Sequence, residues 1–450
     1  MDERVQLAGL GNGVGQVLRL GQVSRDGAQS WYMQPVQVAA DHRDPVPGGG
    51  QRGGERLADA SGRAGQHNLA HALLSAEIVR CCCGPPSGAS SVPDLGGSMD
   101  FSLQLLPEQP LAELIEVIRL ADELGYRACY SADETYHKDM WILFGAAAPR
   151  TSRIRFGPEV SGVILRDPTL IAQQAATLDE LTGGRAEIVF SIGNFALLEQ
   201  YGIRWQGTRP LARLREAHQV MRTFLAEGRI DFQGAHYRYS GLFTAARPVQ
   251  QPLPLKIGAM TGPRSFRLAG EIADGVHVAC AHSSEALSFA ARSVREGASR
   301  AGRRLGPGFD LCASVLGAVS ADSGAAREAA RVAAAFYIFS MAPELIERHG
   351  ISYADVRPVV DAFGRGDVEL ALELTTSEIG ERLSIAGDPA AWINRLRSDF
   401  APYGYDHIAL GLVDPALVES WSGRRIEGLP SLAAQVELFA AEVVPALAGI

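Results

Sequence analysis

Two adjacent carboxylates, Asp133-Glu134, stand where an apolar run ends, and Thr135-Tyr136-His137 follows them. Acids this close repel each other, so one of them can rise toward the range useful for general acid–base work. The same pair also suits the acid-decorated start of a helix. A second candidate is the run from Lys256 to Arg264, in which Met260-Thr261-Gly262-Pro263-Arg264 opens an amphipathic stretch carrying Phe266, Ala269 and Ile272. A Gly-Pro entry leaves free N–H groups at the positive end of a helix, where a phosphate is welcome and Arg264 can pair with it. Many helices start with proline and bind nothing. Two further apolar runs end in Glu159-Val160-Ser161 and in Gly193-Asn194. Small residues at the second let the backbone approach a ligand closely, but each stretch taken alone reads as an ordinary turn.

Some chemistries are disfavoured. There is no GxGxxG or GxxxxGK[ST] pattern, which argues against a Rossmann or P-loop nucleotide site. Cys81, Cys82 and Cys83 are consecutive, while Cys129, Cys280 and Cys312 stand singly. No CxxC pair or Cys/His spacing suggests a metal, and none is expected. The net charge of −9 carries no block of like charges, so no nucleic-acid surface is expected. No apolar run reaches the roughly 18 residues of a membrane span, and the first thirty residues lack a signal-peptide core. The reading is a cytoplasmic enzyme with a small-molecule substrate and no membrane partner.

The elements that would position these residues alternate strand and helix from Met99 onward. Strands are predicted at Phe101–Leu106, Ala128–Ala132, Ile154–Val160, Ala186–Ile192, Leu255–Met260, Gly275–Ala279, Asp310–Val319 and His407–Leu412. Amphipathic helices fall between most of them, as at Leu170–Leu181, Leu211–Leu225 and Ser283–Ala301. Eight strands over this length predict an α/β fold, a (β/α)8 TIM barrel with insertions. An open doubly wound sheet is the alternative, because periodicity alone does not close a barrel. Residues 230–250 read as a hairpin after the fourth strand, and 323–382 as a helical insertion between the seventh and eighth.

Residues 1–98 differ. They hold 17 of the 49 glycines and no sustained period, and the expectation is a disordered low-complexity extension, from a mis-called upstream start or serving as a regulatory tail. The domain proper is 99–450.

Taken together, the motifs resemble a known family. Thr177-Leu178-Asp179-Glu180-Leu181-Thr182-Gly183-Gly184-Arg185 is similar to the TLDELSGGR signature of the luciferase-like monooxygenase superfamily. Gly258-Ala259, Gly262-Pro263 and Ala269 to Gly275 resemble its strand–helix–strand segment. Leu106-Pro107 through Asp122, Ile346 to Gly350 and Ile385 to Pro389 resemble the methylenetetrahydromethanopterin reductase branch. The resemblance covers 99–450 and implies a barrel, usually dimeric, that carries its coenzyme at the C-terminal mouth. It implies a non-prolyl cis peptide at Glu159-Val160 against the coenzyme ring, with Ser161 alongside and Gly193-Asn194 beside the ring. It places the coenzyme phosphate on the turn Met260 to Arg264, and Asp133 next to the reacting ring. Many similar deazaflavin enzymes have Asp-His after the second strand, and here the second residue is Glu134, to which acid–base work is assigned. Glu159 is a second departure, at a place where small residues are frequent. The implied activity is hydride transfer between coenzyme F420 and an unsaturated small molecule. The alternatives are an FMN-dependent monooxygenase and a non-catalytic flavin-binding barrel.

Overall fold

The computed structural model describes residues 99–204 and 208–448, together with the backbone of two mutually paired strands, Gln16–Val23 and Ser30–Gln37. Apart from those two strands, the expected disordered extension lies outside the described residues.

Eight parallel strands run in chain order: β1 (Asp100–Leu105), β2 (Ala128–Asp133), β3 (Arg155–Gly162), β4 (Ile188–Ser191), β5 (Leu255–Ala259), β6 (Gly275–Ala279), β7 (Asp310–Val319) and β8 (His407–Leu412). Each pairs with the next, and β8 pairs with β1 through His407↔Asp100 to Leu410↔Leu103. That last pairing closes the sheet, so the structure is the barrel and not the open alternative. Gly275–Ala279, Asp310–Val319 and His407–Leu412 have the predicted bounds, and the other strand ends differ by at most two residues, as is usual where pairing rather than pattern sets the boundary.

Helices cover the outside. The helix after β3, Pro168–Thr182, shows how its sequence starts it: Asp167 accepts the Thr169 N–H at 2.8 Å, and Pro168 fills the first turn. The family-like stretch at its end is structural. Asp179 is fully buried and accepts the Ala186 and Gln250 N–H groups, while Arg185 donates to the carbonyls of Ile154, Thr151 and Ala148. These bonds satisfy backbone groups that the loop would otherwise leave unpaired.

Both insertions appear where the sequence placed them. Arg229–Gln233 and Arg238–Phe243 form an antiparallel hairpin, and five helices occupy 323–382. A short strand that the pattern did not reveal, Ile385–Gly387, pairs with Gly317–Val319 at the upper end of β7.

The barrel floor, toward the strand N-termini, is charged. Lys256 Nζ lies 2.6 Å from Glu187 and 2.5 Å from Asp310. Arg155 Nε donates to Glu187 at 2.9 Å, and Arg127 reaches Asp310 at 3.4 Å. His407 Nδ1 sits 2.9 Å from Asp310 and its Nε2 2.7 Å from Ser102 Oγ, while the Tyr130 hydroxyl donates to Glu187. Burial pushes the Glu187 and Asp310 carboxyls up. Lys256 and Arg155 outweigh that for Glu187, His407 and Lys256 outweigh it for Asp310, and both are held well below the usual carboxylate range. Burial likewise lowers Lys256, and Glu187 with Asp310 more than reverse it. Higher in the barrel, a Cβ on Gly258 would lie 2.3 Å from Val160 Cγ1. Only a glycine leaves the Val160 side chain its space.

Candidate active site

The end of β2 carries both predicted acids, and their surroundings differ. Asp133 Oδ1 accepts from Arg166 at 2.7 Å, and Oδ2 accepts from Ser161 Oγ at 2.6 Å and from Trp141 Nε1 at 3.4 Å. With only 6% of its side chain exposed, Asp133 is held in place and ties the end of β2 to the end of β3. Ser161 spends its hydroxyl on this acid. Arg166 lies only four residues beyond β3, and no pattern in the sequence pairs it with residue 133.

Glu134 is differently placed. Burial, with a smaller push from Asp133, raises its carboxyl above the ordinary value, while the Asn194 amide pulls the other way. Mutual repulsion, the reason suggested by sequence, is thus the lesser cause. Asn194 Nδ2 points at Glu134 Oε2 from 3.4 Å. That orientation follows from the next helix, Phe195–Gln200. Asn194 Oδ1 caps it by accepting the Ala196 and Leu197 N–H groups, which turns the amide nitrogen toward the acid. Gly193, at φ 112°, brings its Cα within 2.9 Å of where a Cβ on Gly162 would sit, so the ends of β3 and β4 approach as only glycines permit.

The Glu159-Val160 peptide is cis. The Glu159 side chain turns into the barrel, 3.0 Å from His277 Nδ1. The contact is an ion-pair distance without hydrogen-bond alignment, since neither carboxylate oxygen and neither ring nitrogen has a hydrogen-bond partner. His277 is a functional candidate that the sequence did not single out. It is an isolated histidine within a strand and nothing flanking it signals chemistry.

The turn Met260 to Arg264 follows β5, the strand beside β4 and hence next to Gly193-Asn194. Helix Pro263–Ile272 begins with Gly262 as its N-cap and has no side-chain cap. Arg264 is exposed and makes no hydrogen bond or ion pair with the described residues. An uncapped helix start beside an unmatched guanidinium fits an anionic group. On the opposite arc, the ends of β1, β7 and β8 line a small cavity with Gln104, Leu106, Gln109, Leu316, Leu412 and Tyr337, the last from the helical insertion. Nearby, Glu108 accepts from Trp421 Nε1 at 3.0 Å and lies 3.7 Å from His137.

Two groups inside the barrel could in principle ligate a metal, His277–Cys312–His407 and Glu187–His277–Asp310. In the first, both His407 nitrogens are already engaged. In the second, the Lys256 ammonium binds both carboxylates and supplies the cation itself.

The sequence model of the luciferase-like monooxygenase family matches residues 97–407. The chain belongs to this family. It is similar to the 5,10-methylenetetrahydromethanopterin reductases of Methanopyrus kandleri (28% identical over 311 residues, 66% of this chain and 88% of that protein) and Archaeoglobus fulgidus (29% over 318 residues, 70% and 93%). It is also similar to a putative coenzyme F420-dependent oxidoreductase of Mycobacterium tuberculosis (29% over 315 residues, 66% and 89%). Among solved structures, the coenzyme F420 dependent tetrahydromethanopterin reductase from Methanopyrus kandleri superposes with a TM-score of 0.69 at 26% identity, covering 78% of this chain and all of that one. This luciferase-like protein is therefore an oxidoreductase of that family. Among its described residues no helix is long and apolar enough to cross a membrane.

Proposed function

We propose that this protein binds coenzyme F420 at the barrel mouth and exchanges a hydride with an unsaturated small molecule, as a methylenetetrahydromethanopterin reductase-like enzyme. The observation that carries the reading is the Glu134–Asn194 pair, a half-buried acid with a raised pKa facing a capping amide at the mouth. Resemblance to proteins whose names specify this coenzyme supports it along most of the domain. When bound, the deazaflavin supplies the hydride chemistry. The anchoring residues are the N–H groups of Gly262 and Arg264 with the Arg264 guanidinium for the phosphate, and Gly193, Asn194, Val160 and the Glu159 backbone for the ring. Asp133, held by Arg166 and Ser161, fixes the β2 end. Glu134, its carboxyl raised above the ordinary value by burial, holds the proton exchanged with substrate or coenzyme at its carboxyl oxygen. The substrate enters over the β1–β8 arc near Tyr337, where Gln104 and Gln109 stand among apolar residues. Two subunits form a dimer in the cytoplasm.

Titration of the purified protein with coenzyme F420 and with FMN, followed by absorption, tests the coenzyme. Tighter binding of the deazaflavin and turnover without oxygen uptake are expected. Stoichiometric oxygen consumption with FMN would replace this reading with that of a monooxygenase, and bound coenzyme without any turnover would point to a barrel that has lost its chemistry.

A further inference from the structure

The helical insertion and the turn after β5 meet at one side chain. Arg348 ends the insertion helix Pro343–Arg348, and its Nη1 donates to the Thr261 carbonyl at 2.9 Å. Its guanidinium carbon lies 3.8 Å from the ring centroid of Phe289, on the helix Ser284–Arg300. Stacking on an aromatic face holds the planar fork in one orientation without removing its charge. The surrounding backbone is fastened as well. Ser283 Oγ donates to the Arg348 carbonyl at 2.8 Å, and His349 Nε2 accepts the His282 N–H at 3.0 Å while its Nδ1 donates to Leu345 at 2.7 Å. Arg348 therefore reaches the turn from a rigid base.

What it does there follows from the peptide plane. In a trans peptide the carbonyl and the next N–H point in opposite directions. Drawing the Thr261 carbonyl toward Arg348 turns the Gly262 N–H the other way. That N–H makes no hydrogen bond with the described residues, and Pro263 next to it has none to give. We propose that Arg348 is a positioning residue for the coenzyme's phosphate. By holding the Thr261 carbonyl it aims the Gly262 N–H, and it thereby links the order of the insertion to occupancy of the coenzyme site.

This rests on the reading of the turn as the phosphate anchor, and the test separates the two. The full chain, Arg348→Ala and Phe289→Leu are titrated with coenzyme F420 and with its ribityl-deazaflavin fragment, which lacks the phosphate and the tail beyond it. Arg348→Ala should weaken coenzyme binding about tenfold, the scale of one well-directed hydrogen bond. Binding of the fragment should stay at its wild-type value. Phe289→Leu keeps the charge and frees the fork, so it should show a smaller loss of the same phosphate-dependent kind. Hydrogen exchange in residues 343–350 should slow on addition of coenzyme to the full chain and not in Arg348→Ala. Equal weakening for coenzyme and fragment would make Arg348 a general structural support and overturn the proposal. Unchanged binding in Phe289→Leu beside a loss in Arg348→Ala would also overturn it, by showing a role of charge alone. Unchanged coenzyme binding in Arg348→Ala would overturn it while leaving the coenzyme reading intact. If the unaltered chain binds neither molecule, both fall.

Discussion

The two ends of this barrel use the same residue types to opposite effect. At the floor, Lys256, Glu187, Asp310, Arg127 and Arg155 neutralise one another inside the protein. At the mouth, among the described residues, the Arg264 side chain has no partner, the helix it opens has no side-chain cap, and the one side-chain hydrogen bond of Glu134 is to the Asn194 amide. Closed charge networks stabilise and do not react, whereas polar groups left open toward solvent are available to a ligand. The contrast agrees with the general division of such barrels into a stability face and a catalytic face.

The largest effect that would sharpen this contrast is expected at Lys256. Lys256→Met leaves Glu187 and Asp310 buried without their shared cation, and breaking a buried pair in this way costs about 3–5 kcal/mol. Urea unfolding should show that loss. A variant of wild-type stability would mean the floor is not held together by charge. At the mouth, Glu134→Gln keeps the shape and removes the titrating proton. Turnover should fall about 10²–10⁴-fold with the urea midpoint unchanged, and the limb of the pH–rate profile that belongs to this group should vanish. Asp133→Asn is its control and should act mainly on coenzyme affinity. Near-full turnover in Glu134→Gln would assign the proton to another group, His137 among them.

A smaller effect is expected at Arg264. Replacing it with alanine should weaken coenzyme binding by about 1.5–3 kcal/mol, the value of a hydrogen bond to a charged group, and equilibrium titration measures it. An unchanged dissociation constant would place the phosphate elsewhere. The finest comparison is the pH dependence of stability. Glu187 and Asp310 have folded-state values below their ordinary 4.5 and 3.8. Their contribution is therefore fully present above those values and is lost as the pH falls through the lower, folded ones. Lys256 is raised above 10.5, so its contribution is present below that pH and lost as the pH rises through the folded value. Thermal unfolding from acid to alkali should show a plateau bounded on both sides, and Lys256→Met should lose the alkaline edge. A wild-type alkaline edge in that variant would remove Lys256 from the account.

Much of the scaffold was legible because strands and helices announce themselves by local period, and the two insertions by its interruption. The acids after β2 and the Gly-Pro turn were legible because consecutive residues carry their chemistry. What escaped depends on closure. Glu187, Lys256 and Asp310 are separated by long stretches of chain and meet only when the sheet curls round on itself, so in the sequence each is a lone polar residue in or beside an apolar run. Arg166 and Asp133 are likewise brought together by strand pairing, and Arg348 reaches Thr261 across an insertion whose path no local pattern fixes. Ile385–Gly387 is too short for a period of two to show.

The contact between Val160 and Gly258 has a consequence for how such a sequence can vary. The valine occupies the space that any other residue at 258 would need for its own Cβ, so the two positions share one volume. Position 258 cannot change first: a larger residue there demands a smaller one at 160, and the intermediate with both side chains present is blocked by overlap. The pair thus behaves as a single inherited unit, and a route between the two arrangements must first pass through an emptied space.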